Sequence, residues 1–206
     1  MNEEVKQRYL LKLDEINLLS ATLAVAAMER EGTEQAAKEA FFDTLLDMYV
    51  EGWAAAAYIM GEESGGVTDE TVAGLRSSLT GRRGEETRRE VTGKEYDGES
   101  IGDKFSVYFR EGDGERIRSL VESEAHRCYS LGAFKAAEEN GRNVTWRTLA
   151  DDRVRETHVY LEGVTVRAGE YFYTFDGDRA RFPGDFALAQ NNANCRCYIE
   201  IEGNRQ

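Results

Sequence analysis

The spacing of apolar residues changes at Val144, and that change commits the chain to an α+β fold with its helices first. Upstream, apolar residues recur every three or four positions over long uninterrupted runs, the period of a helix with one buried face. Downstream, β-branched and aromatic residues alternate with polar ones in short stretches such as Val164-Thr165-Val166, Tyr171-Phe172-Tyr173 and Tyr198-Ile199-Glu200-Ile201. That is the period of a strand with one face covered. Glycines at 163, 169, 177 and 184 end these stretches, Asp176-Gly177 is a strong turn signal, and the one proline, Pro183, sits in another turn. Residues 144–206 therefore form a compact module of short strands.

The helical part divides at its glycines. Residues 3–31 read as one helix, with Leu10, Leu13, Leu19, Leu23 and Ala27 on its apolar side and Gly32 ending it. Thr33 is placed to cap a second helix, running to about Met60, whose apolar set includes Phe41, Leu45, Met48, Tyr49 and Ala56. A short turn between two such helices predicts an antiparallel hairpin. Its broad apolar face, aromatic at Phe41, Phe42, Tyr49 and Trp53, reads chiefly as core. Thr68 is suited to cap a short helix through Leu79. Residues 1–80 form a helical arm on this reading, and residues 81–104 a polar linker with glycines and interleaved charges. Alternation at Phe105, Val107 and Phe109 leaves helix or strand open there. Asp113 and Gly141 bracket a well-buried helix over 114–140, which makes residues 105–143 a helical lead into the module. Within it Glu124 lies among apolar residues and calls for a partner, an arginine of the next segment being the natural one.

Composition narrows the function classes. The 206 residues carry a net charge of −13, nearly all of it upstream of residue 144. A surface this acidic repels phosphate, which disfavours broad or sequence-specific nucleic-acid binding; it reads chiefly as a solvated face that keeps the chain soluble, with a protein bearing a basic patch as the alternative partner. The densest basic cluster, Arg82, Arg83, Arg88 and Arg89, is interleaved with glutamates and makes a poor phosphate track. No apolar run approaches the ~20 residues of a membrane span, and the first residues lack the order of a secretory signal. A soluble protein made in a cytoplasm is expected. Cys128, Cys195 and Cys197 are too few for a disulfide framework and are expected as reduced thiols.

The module carries an ordered series: Trp146-Arg147-Thr148, Asp152-Arg153-Val154-Arg155, His158, Leu161-Glu162-Gly163, Phe172, Pro183-Gly184 and Asn194-Cys195-Arg196-Cys197. This series resembles the Mu F-like family of phage head-morphogenesis or minor head proteins, closely over residues 146–197 and loosely upstream through Ser123-Glu124. Residues 1–100 offer only the helical character usual in those proteins. The resemblance implies a minor capsid component of a tailed bacteriophage, assembled in the host bacterial cytoplasm. It would sit in the virion at the portal vertex or capsid interior, contact portal or major capsid protein with packaged DNA nearby, and assist head assembly or DNA delivery. It does not by itself imply catalysis. Asn192 stands where one branch of the family has a histidine before Cys-Arg-Cys, and Arg155 replaces a frequent cysteine, so two soft ligands are missing here.

Asp152, His158, Cys195 and Cys197 remain as the soft-ligand set, and zinc is the ion such a set would take. A Cys-x-Cys on extended chain turns both thiols to one side, so they can share an ion. Alternatively, Asp152 pairs with an arginine of the module, such as Arg196 or Arg153, and fixes the closing strand against the Trp146 segment, while the cysteines pack as small apolar residues. A third reading is enzymatic, metal-dependent or with His158 activating one cysteine. No protease or transferase signature surrounds either thiol, and His126, on the 114–140 helix, reads as a partly exposed residue rather than a base.

Overall fold

A computed structural model of the chain describes residues 3–29, 32–61, 68–81 and 84–203. Helices α1 (Glu3–Met28), α2 (Glu34–Ile59), α3 (Asp69–Gly81) and α4 (Gly84–Thr92) lead into a two-stranded hairpin, β1 (Glu95–Tyr96) and β2 (Glu99–Ser100). Helices α5 (Ile101–Glu111) and α6 (Gly114–Glu139) follow, then β3 (Asn143–Arg147), α7 (Glu156–Val159), β4 (Thr165–Arg167), β5 (Phe172–Tyr173), β6 (Arg179–Ala180), α8 (Ala189–Asn192) and β7 (Tyr198–Ile201). The expected order of helices before a strand module holds.

Local chemistry sets the boundaries. Thr33 and Asp113 accept the amides of Ala36 and Arg116, and each satisfies an otherwise unpaired donor of a first helical turn. Gly141, at φ 60°, ends α6 in the left-handed conformation that favours glycine. Residues 104–110 lie within α5, where Ser100 caps the start by accepting from Asp103 and Gly112 turns left-handed at the end. Phe105 and Phe109, one helical turn apart, are buried while Val107 is exposed, so the alternation read from the sequence is one helical face seen every fourth residue.

Helix α6 is the hub. Both α1 and α2 lay their apolar faces on it. They run antiparallel, tied directly by a Lys12–Glu51 ion pair and by Arg8 4.3 Å above the Tyr58 ring. The hairpin is therefore no free-standing arm, since α6 completes its core. Where α2 crosses α6, each helix presents a glycine to the other's main chain. A Cβ at Gly52 would lie 2.0 Å from the Tyr129 carbonyl oxygen, and one at Gly132 would lie 1.9 Å from that of Tyr49. Only hydrogen side chains permit this approach, and Phe41, Leu45, Met48 and Tyr49 are fully buried beside it.

Two further expectations need correction. The segment 81–104 is not simply a polar linker: α4 folds over residues 84–92 and buries Thr87 and Val91, one turn apart. Glu124 is indeed buried, but its arginine comes from its own helix. Arg127 Nε donates to Glu124 Oε2 at 2.6 Å, and the Tyr96 hydroxyl donates to Oε1 at 2.7 Å. Arg127 also donates to the Val91 carbonyl at 2.5 Å, which ties the end of α4 to α6.

Strand β3 is the centre of an antiparallel sheet ordered β4-β3-β7, with Val144 opposite Ile201 and Trp146 opposite Ile199. Val144 and Trp146 are buried, whereas Thr145 and Arg147 face the other side, where Arg147 pairs with Glu200 at 2.6 Å and Glu162 at 3.2 Å. A second pair of strands, β5 and β6, supplies Phe172 to the Trp146 ring at 5.1 Å. Phe134 of α6 meets Phe182 at 5.3 Å, so helices and module share one core.

Candidate functional site

The chain between β3 and β4 is a closed excursion. Trp146 and the 163–164 turn exchange main-chain hydrogen bonds of 2.9 Å, and the Glu162 carboxylate accepts from the Thr148 amide and hydroxyl at 2.6 and 2.8 Å. This clamp holds α7 over the module core and sets His158 inside it. The imidazole stacks on Phe186 at 5.0 Å and meets Trp146 edge-on at 5.7 Å.

The approach to β7 brings the thiols. Asn194 turns left-handed at φ 53°, a conformation asparagine tolerates better than most residues, and the following chain alternates sides. Cys195 and Cys197 point inward and are buried, while Arg196 points outward. Both sulfurs face the same imidazole nitrogen: His158 Nδ1 lies 3.7 Å from Cys195 Sγ and 3.5 Å from Cys197 Sγ. The three ligand atoms lie within 4.8 Å of one another. The shared inward orientation of the thiols follows from two-residue periodicity.

Asp152 stands apart. It is exposed in the turn before α7 and lies outside this cluster. The arginine pairing expected of it belongs to its neighbour: Arg196 donates to both carboxylate oxygens of Asp151, at 2.7 and 2.9 Å. That pair links the excursion to the β7 approach on the surface, so it adds far less than a buried pair would.

The two thiols shift in opposite directions. A hydrogen bond from Cys197 holds the Cys195 thiol well below its ordinary value despite burial, helped by His158 and by the nearby His126. The same hydrogen bond, with burial, pushes Cys197 well above its ordinary value. His158 Nε2 and Trp146 Nε1 are buried without a hydrogen-bond partner among the described residues.

Three supporting residues were not legible in advance. His126 is buried rather than partly exposed, and its Nε2 lies 2.8 Å from the Cys197 carbonyl oxygen. The Tyr9 hydroxyl donates to the same oxygen at 3.3 Å, and its ring stacks on Tyr198 at 4.8 Å. Asn192, in the place of a family histidine, spends its side-chain amide on main chain. Its amide accepts from the Phe186 N–H and donates to the Phe186 and Leu188 carbonyls, which closes the loop before the cysteines.

Comparison with known proteins gives three findings. The model of the family described as Phage Mu protein F like protein matches residues 76–200. The chain is 29% identical over 88 residues to the Minor head protein GP7 of Bacillus phage SPP1, covering 41% of this chain and 29% of that protein. It is 34% identical over 83 residues to the NAD(+)--arginine ADP-ribosyltransferase EFV of Enterococcus faecalis (strain ATCC 700802 / V583), covering 38% of this chain and 17% of that one. The chain thus spans less than a third of the length of either curated relative. No solved structure matches it significantly.

Proposed function

This chain belongs to the Phage Mu protein F like family, and from that membership we propose that it is a minor structural protein of a tailed-phage head. It docks on the portal or the inner capsid wall and assists head assembly or DNA delivery. The likeness to a minor head protein supports this reading. No described helix is long and apolar enough to cross a membrane.

The docking step rests on one observation. The inner face of α1, with Tyr9, Ile16, Ala24 and Ala27, is buried, yet its outer face exposes Leu11 (71%), Leu18 (70%), Val25 (50%) and Met28 (63%). Three of these lie seven residues apart and the fourth follows three residues on, the spacing of a seam that another helix covers. Removing residues 1–60 would strip α2 from α6 and unfold the chain, so surface changes make the cleaner test. The variant Leu11→Glu/Leu18→Glu/Val25→Glu should stay folded and fail to enter proheads. Incorporation at the normal copy number would refute docking through α1.

A zinc ion held by Cys195, Cys197 and His158 is a second reading. The nitrogen–sulfur separations of 3.5 and 3.7 Å match the edge of about 3.6 Å that a tetrahedral zinc imposes. Bound there, the ion would cross-link α7 to the β7 approach and supply a structural clamp. The donor set fits three positions of four, since Asp152 lies elsewhere. Elemental analysis finding no stoichiometric metal in the purified chain would end this reading. Against a Cys/His nucleophile, His158 Nε2 has no orienting hydrogen-bond partner among the described residues, which such a base requires.

A further inference from the structure

A cleft of about 990 Å³ separates α1 from the module, and its composition is unlike the rest of this acidic molecule. Helix α1 contributes the half-buried Leu10 and Leu13, the module contributes the half-buried Leu149 with Arg153, Arg155 and Arg196, and α6 adds the Arg118–Glu122 pair. From its floor a narrow extension lined by the same arginines reaches His158 and Cys197.

The arginines are the telling feature. Elsewhere several arginines are spent on carboxylates, as in Arg76–Asp47, Arg116–Asp113, Arg147–Glu200 and Arg181–Asp185. In the cleft Arg196 is held by Asp151, whose carboxylate also feels the exposed Arg153, and neither Arg153 nor Arg155 has a carboxylate within ion-pairing distance among the described residues. Arg155 is half-buried, and its charge is felt at Cys197. A guanidinium partly withdrawn from water without a counter-charge is unfavourable on its own and becomes favourable once an anion fills the site.

We propose that this cleft binds an acidic peptide segment of a partner protein, with carboxylates reaching Arg153 and Arg155 and an apolar side chain lying against Leu10 and Leu13. The charge pattern selects this occupant. A free phosphate or carboxylate would leave the leucines uncovered and most of the volume empty. A nucleic-acid strand is a continuous polyanion. It would have to pass Asp14 and Glu122 at the same cleft and a chain of net charge −13. A short peptide needs only two or three charges, and its side chains match both the leucines and the arginines. The site is separate from the outer stripe of α1, so the two are tested independently.

The test is fluorescence anisotropy of the full chain with a labelled Glu-Leu-Glu-Glu-Leu-Glu peptide, its lysine counterpart and a single-stranded oligonucleotide. The acidic peptide should bind, weaken as salt rises, and lose at least about tenfold in affinity in Arg153→Glu/Arg155→Glu. Photo-crosslinking of the same peptide to the unaltered chain should label residues 149–155 or 194–196, a readout independent of whether the variant folds. Three outcomes would overturn the proposal. The lysine peptide could bind equally well, the crosslinks could fall elsewhere, or the oligonucleotide could compete for the arginines and bind more tightly than the peptide.

Discussion

Replacing Gly132 with alanine should destabilise the protein, although the same exchange in an exposed helix stabilises it. A methyl at position 132 would stand 1.9 Å from the Tyr49 carbonyl oxygen and 3.0 Å from the Trp53 amide nitrogen. Ordinary carbon–oxygen contact begins near 3.3 Å, so α2 and α6 would have to separate by about 1 Å or more. A gap of that size forfeits between a quarter and a half of each dispersion contact it opens, along an interface where Phe41, Leu45, Met48 and Tyr49 are fully buried. Overpacking costs about 1–3 kcal/mol when side chains can yield. Here the obstacle is main chain, so a cost of about 3 kcal/mol is the working figure. Helix propensity returns up to ~1 kcal/mol, leaving a net loss of about 2 kcal/mol, or roughly 4–8 °C in Tm for a chain of this size. Gly74 in α3 is the control: nothing lies within 4 Å of its Cβ position, and Gly74→Ala should raise Tm. Thermal and urea unfolding of both variants, with Gly52→Ala as the reciprocal change, would decide it. A Gly132→Ala protein as stable as the parent would refute the crossing geometry.

Three other outcomes are expected. Glu124→Ala leaves the buried Arg127 guanidinium without its carboxylate and should cost about 3–5 kcal/mol in urea unfolding, with Glu124→Leu/Arg127→Met recovering most of the loss. Burial pushes the Cys128 thiol up to about 12. Intact-mass analysis after iodoacetamide at pH 8 should therefore find Cys128 unmodified in the folded chain and modified once it is unfolded. Burial opposes the charge on Asp178, but hydrogen bonds from Asn191 and from the amides of Leu188, Arg179 and Ala187 more than offset this and lower its pKa. Its stabilising contribution is present above the unfolded carboxylate value of ~3.9 and is lost as pH falls through the lower folded value. Asp178→Asn should thus weaken the 176–192 loop at neutral pH and flatten the acid limb of the stability curve, as read by proteolysis across pH.

The sequence announced the long helices because each carries its own evidence: a sustained apolar period and a capping residue such as Thr33 or Asp113. It also placed Cys195 and Cys197 on one side, since alternation in extended chain is local. What escaped depended on distant partners. The burial of His126 requires Tyr9, 117 positions earlier, to arrive beside it at 5.9 Å. The arginine for Glu124 came from one turn along the same helix because Val91 and Tyr96 close over both side chains, and no periodicity records that enclosure. Asp151 and Asp152 are indistinguishable as neighbours in a polar turn. Backbone direction alone gives Arg196 to the first and leaves the second in solvent. Helix α4 was hidden because its buried face is only Thr87 and Val91 within a run of charges.

The stacking of Tyr9 on Tyr198 has a temporal consequence. Translation at about 5–20 residues per second separates the emergence of these two rings by roughly 10–40 s. Throughout that interval the inner face of α1 has no β7 to rest on, and the Cys197 carbonyl that receives the Tyr9 hydroxyl does not yet exist. The α1 face that rests on α6 is uncovered until residue 139 is made, and its Tyr9 end waits for β7 until nearly the end of synthesis. During that time the chain presents an apolar surface that the finished molecule hides.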